Sequence, residues 1–187
     1  MQDEPAILEQ VMTLFGKILI EALEVTADAV GKAEFYHVTL GDNITAPMVG
    51  RKLFQKWCMP YYNRASDTLL AKKIHFFVHM DGDLKPLWED IDQCRHHGID
   101  SLSPPPDNDT SVQEAFDRWP KKFVWTNFPS SVHLQQPEKI YAKATELLEQ
   151  GGHSRCFWIQ ISEDIPPGAW KTSFPIILRA IKDFGKP

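Results

Sequence analysis

The chain predicts an α/β fold built on a parallel sheet, and three observations carry that prediction. Short apolar runs alternate with longer amphipathic ones along nearly all of the 187 residues. The run at 74–80, Ile-His-Phe-Phe-Val-His-Met, is aromatic and β-branched with little polar alternation, as a strand covered on both faces requires. Polar residues, mostly Asp and Asn, follow each short run before the next helical pattern begins, and right-handed helical crossovers are the usual way to join parallel neighbours at this spacing.

Taken in order, residues 5–30 place apolar side chains at 7, 8, 11, 15, 18, 19, 22 and 23, the spacing of one helical face, with Asp3, Glu4 and Pro5 as start signals. Lys17, Glu21 and Glu24 interrupt this run, so it reads as a packing helix and not as a signal peptide or a membrane span. Residues 35–40 form a strand closed by Gly41, Asp42 and Asn43, and 47–73 a helix with a kink or restart at Pro60. The strand at 74–80 is broken by Gly82. Asp83 is then placed to cap a helix over 84–97, with Pro86 in its tolerant first turn. The unit repeats as strand 99–103 with helix 111–119, strand 123–126 with helix 137–150, and strand 156–161 with helix 172–184. The Pro104-Pro105-Pro106 run is too short for an interdomain spacer, so residues 1–187 read as one domain.

Composition narrows the functions. A 43% hydrophobic, 24% charged chain is ordinary globular material, and a net charge of −5 with no basic cluster disfavours nucleic acid and other polyanions. Cys58, Cys94 and Cys156 are an odd number at wide spacing with no CxxC pair, which encodes neither a disulfide framework nor a zinc knuckle and fits a cytoplasmic setting. The chain also lacks the glycine-rich, nucleophile-elbow and HExxH motifs of dinucleotide, nucleoside-triphosphate, serine-hydrolase and zincin chemistry. A small-molecule partner remains.

Parallel strands bring their tips to one face, so the tip residues converge: Asp42 and Asn43, then His79, Asp81 and Asp83, then Asp107, Asn108 and Asp109, then Asn127, and last Glu163 and Asp164. His79, Asp81 and Glu163 form the expected catalytic trio. An imidazole with two carboxylates supplies general acid and base, or holds a divalent Zn, Mn or Fe ion with a position open to water or substrate. Asp42, Asn43, Asp107 and Asn127 are the expected substrate-binding groups. Cys58, Trp125 and Trp158 read as packing residues, and His96 with His97 as the end of the helix before Gly98.

Five segments in order resemble one family: Gly41-Asp42-Asn43; Lys52-Leu-Phe54 with Pro60-Tyr-Tyr62; His79-Met-Asp81-Gly82; His97-Gly98-Ile-Asp100; and Ser162-Glu163-Asp164-Ile-Pro-Pro167. Together they are similar to the uroporphyrinogen decarboxylase superfamily, which includes the corrinoid and coenzyme M methyltransferases. The resemblance implies a (β/α)8, or TIM, barrel with its site at the carboxyl ends of the strands. It implies a partial barrel, strands four to eight, with the first three βα units absent. Decarboxylase- or methyltransferase-type chemistry would follow. In the methyltransferase branch a His-x-Cys pair and a later Cys hold zinc; here His79 matches that His, while Asp81 and Glu163 stand where the thiolates would be, which moves metal preference toward harder ions. Glu163 also stands where the decarboxylases carry a histidine, and an acidic mouth repels a many-carboxylate porphyrinogen. Five strands leave two open edges, so the alternative expectation is an incomplete half-barrel that associates with a second copy or another subunit.

Overall fold

The computed structural model describes residues 4–30, 36–161 and 165–185. The segment 162–164, which holds Glu163 and Asp164, lies outside the described residues. Five parallel strands form one sheet in the order β1 (His37–Leu40), β2 (His75–His79), β3 (Gly98–Leu102), β4 (Phe123–Phe128) and β5 (Phe157–Ile161). Around them lie α1 (Pro5–Val30), α2 (Ala46–Leu53), α3 (Met59–Leu70), α4 (Trp88–Asp92), α5 (Val112–Arg118), α6 (Pro137–Gly151) and α7 (Trp170–Phe184). Strand order equals chain order, as right-handed βα repeats dictate.

Side chains on each strand alternate between two environments. Phe76, Val78, Ile99, Val124 and Phe128 enter the buried core beneath the helices, together with Leu69 of α3, Ala115 of α5 and Ile140 and Ala144 of α6. The opposite phase carries His37, Phe77, Phe123, Trp125 and Trp158, whose rings contact one another: His37 stacks on Phe77 at 4.5 Å, Phe123 on Phe77 at 5.4 Å and on Trp158 at 5.6 Å. Gly98 makes this layer fit. A Cβ there would stand 2.7 Å from the Phe77 ring, so only a hydrogen lets the rings of β2 and β4 meet across β3.

Several boundaries move from the sequence expectation. The helix expected over 47–73 breaks at Gly50 (φ +62°), then passes through a π-type turn at Phe54–Cys58 before α3, in whose first turn Pro60 sits. The helix expected over 84–97 ends at Asp92. The side-chain oxygen of Asn63 takes the Arg95 amide, and the His97 amide already donates to Phe76 O at 2.7 Å, so the chain commits to the sheet before a further turn forms. His96 and His97 are therefore not helix-end residues. His97 Nδ1 accepts the Phe76 amide, and His96 is 2% exposed with neither ring nitrogen partnered.

Nor does Asp83 cap that helix. Asp109, from the loop after β3, accepts the Leu84 and Lys85 amides at 2.9 and 3.2 Å and does the capping from across the mouth. The tip loops are joined elsewhere too. Ile44 N donates to His79 O, Gly82 N to Ile44 O and Ala46 N to Asp83 O, while Asn108 Nδ2 donates to Asp81 O at 2.6 Å.

Candidate functional site

A cavity of about 520 Å³ opens at the carboxyl ends of the strands. Every strand supplies part of its lining: His37 and Thr39 from β1, His79 from β2, Asp100 and Ser101 from β3, Trp125 and Asn127 from β4, Gln160 from β5. Asp81, Ser103, Asp107 and Asn108 add the rim. The strands end here because polar tips replace apolar runs, and parallel order gathers those tips on one side.

His79 is the centre of the arrangement. Its Nδ1 lies 3.4 Å from Asp100 Oδ2 and its Nε2 lies 3.6 Å from Asp81 Oδ2. Nε2 is shielded from solvent and makes no hydrogen bond in the protein. A proton carried on Nδ1, facing Asp100, leaves Nε2 as a lone pair. A carboxylate, an imidazole and a second carboxylate thus stand in line across β3, β2 and the β2 tip.

The floor is an amide and hydroxyl network. Gln160 Nε2 donates to Asn127 Oδ1 at 2.8 Å and to Ser101 Oγ at 2.5 Å. Asn127 Nδ2 donates in turn to Ser103 Oγ at 2.9 Å. Ser101 holds φ at +64° while buried, a strained conformation for a residue with a Cβ, and β3 loses its regular register with β4 between Ile99 and Leu102. That break turns both Asp100 and Ser101 to the cavity.

Of the sequence-derived site residues, His79 and Asp81 come together, and Asp107 and Asn127 line the same cavity. Asn127 belongs to β4 itself, which runs two residues further than expected. Asp107 accepts hydrogen bonds from the hydroxyl and amide of Ser131. Asp42 does not line the cavity. It accepts a hydrogen bond from Tyr62 on the helix side of β1, where burial pushes its carboxyl pKa up against the opposing pull of Tyr62 and His79. Asn43 is exposed, with φ +48°, and also stands apart from the lining. Among the described residues no three His, Cys, Asp or Glu side chains gather closely enough to hold a metal ion, so the expected metal set is present as His79 and Asp81 alone, Glu163 being outside them.

Sequence reasoning missed Asp100, Ser101, Gln160 and the cavity position of Trp125. Trp125 was expected to be packing; it packs against His37 and Trp158, and it also lines the cavity. The alternation of Trp125, Asn127 and Trp158, Gln160 on paired strands was the available signal, since the register Trp125–Trp158 and Asn127–Gln160 puts all four on one face. Cys58 is packed against the core as expected, and burial pushes its thiol pKa up to about 11.

Comparisons with known proteins agree with this architecture. The structure of a methyltransferase from Methanosarcina mazei superposes with a TM-score of 0.69 at 17% identity, over 91% of this chain and 48% of that one. This chain therefore spans about half the length of that structure, and the likeness identifies the fold as part of a (β/α)8 barrel. No curated protein matches the chain. Among the described residues no helix is long and apolar enough to cross a membrane. The family model described as uroporphyrinogen decarboxylase (URO-D) matches residues 1–182, and the chain belongs to that family.

Proposed function

We propose that this domain carries a proton-transfer site of decarboxylase or methyltransferase type, with His79 Nε2 as the transferring atom. One observation carries the reading: Nε2 is buried and makes no hydrogen bond, with Asp100 beside the other ring nitrogen. Decarboxylation needs a proton delivered to the carbon that loses CO2, and alkyl transfer needs one removed from the acceptor. An imidazole can both give and accept a proton, so it serves either step. Asp100 acts as a positioning residue, and Asp81 faces the nitrogen that gains or loses the proton. Gln160 and Asn127 hold the floor in one hydrogen-bonded arrangement, so substrate polar groups meet preorganised partners.

His79 and Asp81 would also hold a divalent metal, with Glu163 as the expected third donor. Asp100 would then fix the ring as carboxylates do behind metal-bound histidines, and the bound ion would supply Lewis acidity. The test is a pair of substitutions read by substrate turnover and by metal titration. His79→Gln abolishes proton transfer, while Asp100→Asn lowers kcat with little change in KM. Unchanged turnover of a decarboxylase or methyltransferase substrate in His79→Gln refutes the reading.

A second reading, that the chain works as an assembled half-barrel, is favoured by where the apolar surface lies. β1 and β5 each pair on one side only among the described residues. The helices beside them expose Leu14, Phe15, Ile18 and Val25 on α1, and Trp170 and Leu178 on α7, each at least half exposed. Exposed edges and apolar stripes of this kind call for cover. Light scattering on the purified chain tests it, and a stable species at 21.4 kDa refutes it.

A further inference from the structure

The cavity makes the site, and its lining names a ligand class. Three carboxylates, Asp81, Asp100 and Asp107, meet the cavity, and among the described residues no Lys or Arg lines it. Lys85, in the segment after β2, pairs with Glu114 at 2.6 Å, and Lys122 donates to the carbonyls of Cys94 and His96 at the other end of β3. Carboxylates in a cleft with low-dielectric walls concentrate field lines and draw positive charge. A wall of Trp125 and His37 completes it, with ring centroids 5.6 Å apart. Burial holds the His37 pKa below its ordinary value, so at neutral pH that ring is an uncharged aromatic surface.

We infer that the cavity binds an organic ammonium group, a protonated or alkylated amine, with Trp125 and His37 against its carbon substituents and Asp100 and Asp107 opposite its charge. The aromatic wall decides between an organic cation and a hydrated metal ion. An alkylammonium is attracted to a ring face, most strongly when partly desolvated, whereas a hydrated metal ion keeps its water shell between itself and the ring. The volume agrees, since a cavity of about 520 Å³ lies in the range of small-molecule pockets. This inference names the substrate class of the proton-transfer site proposed above and rests on that site being where ligand binds, but binding is measurable without turnover.

The test is isothermal titration calorimetry of the whole chain at low ionic strength. Tetramethylammonium chloride, magnesium chloride and sodium succinate serve as the alkylammonium, metal and anion probes. The inference expects saturable binding of tetramethylammonium, weakened about tenfold by Trp125→Leu, largely retained by Trp125→Phe, and weakened by Asp107→Asn. Circular dichroism on each variant separates loss of the site from loss of the fold. Binding of succinate alone, of magnesium alone, or of tetramethylammonium equally by Trp125→Leu and the unchanged chain overturns it. Because His79→Gln removes the proton-transferring atom and leaves Trp125 and Asp107 in place, tetramethylammonium binding to that variant survives even where the proton-transfer reading fails.

Discussion

His96 sets a measurable limit on this fold in acid. The ring is 2% exposed, neither nitrogen has a hydrogen-bond partner, and its pKa is held well below the ordinary 6.5 by burial first, then by the nearby Lys122 and His97. The unfolded chain takes up a proton at this ring as pH falls through 6.5, while the folded ring stays neutral. Below 6.5 the unfolded state therefore binds more protons, and stability falls with pH. Each unit costs about 1.4 kcal/mol while the native ring remains unprotonated, so between pH 6.5 and 5.0 this residue alone removes about 2 kcal/mol. That is a large share of the stability of an ordinary domain. Burial also lowers the pKa values of His37, His97 and His133, so the whole chain loses more than this and the informative quantity is a difference. Urea unfolding at pH 7.0 and 5.0, followed by tryptophan fluorescence, gives it. His96→Gln and His96→Leu should each lose about 2 kcal/mol less than the unchanged chain over that interval. Equal losses in all three proteins would show that the native ring takes up its proton, and would refute the reasoning.

Three further outcomes follow from the packing and the caps. Gly98→Ala should destabilise the domain by about 1–3 kcal/mol in a thermal melt, because the new methyl meets the Phe77 ring, and the near-ultraviolet signal of the stacked aromatics should change with it. Arg51→Met should carry a measurable stability cost, read as a lower midpoint in a denaturant titration. It leaves the buried Asp90 carboxylate, which burial pushes up but Arg51 and Gln55 pull below its ordinary pKa, with Gln55 as its remaining side-chain partner. The half-exposed guanidinium keeps this below the cost of breaking a fully dry pair. Ser111→Ala breaks the capping box with Glu114 at the start of α5 and should cost about 1 kcal/mol in the same titration, with Ser111→Asp restoring most of it.

Much of this architecture was legible because hydrophobic period and strand chemistry agree. The first helix runs over Pro5–Val30 as its apolar spacing indicates, and all five strands appear in order, within two residues of their expected ends at every described boundary. The inner face of the sheet was harder to read. Where Phe76, Phe77 and Val78 follow one another, apolar character does not tell which residue points to the helices and which to the interior; only register assigns Phe77 to the ring layer. Asp100 was hidden for the same reason. It sits inside a strand, so tip counting passed over it, and it reaches the cavity because β3 becomes irregular just beyond. Asp42 is the converse case, lying at a tip but turned away from the cavity to Tyr62 by a local hydrogen bond that no spacing announces.

The capping of Leu84 and Lys85 by Asp109 has an evolutionary consequence. Barrels of this type diversify by changing one mouth loop while the rest stand still. Here the loop after β3 terminates orphan amides of the segment after β2, and the loop after β1 is sewn by backbone bonds to that same segment. Replacing any one of these three loops strips a neighbour of its hydrogen-bond partners. New specificity in this domain is therefore reached most readily by exchanging these loops as a block, or by altering side chains upon them while Asp109 and Asn108 are kept.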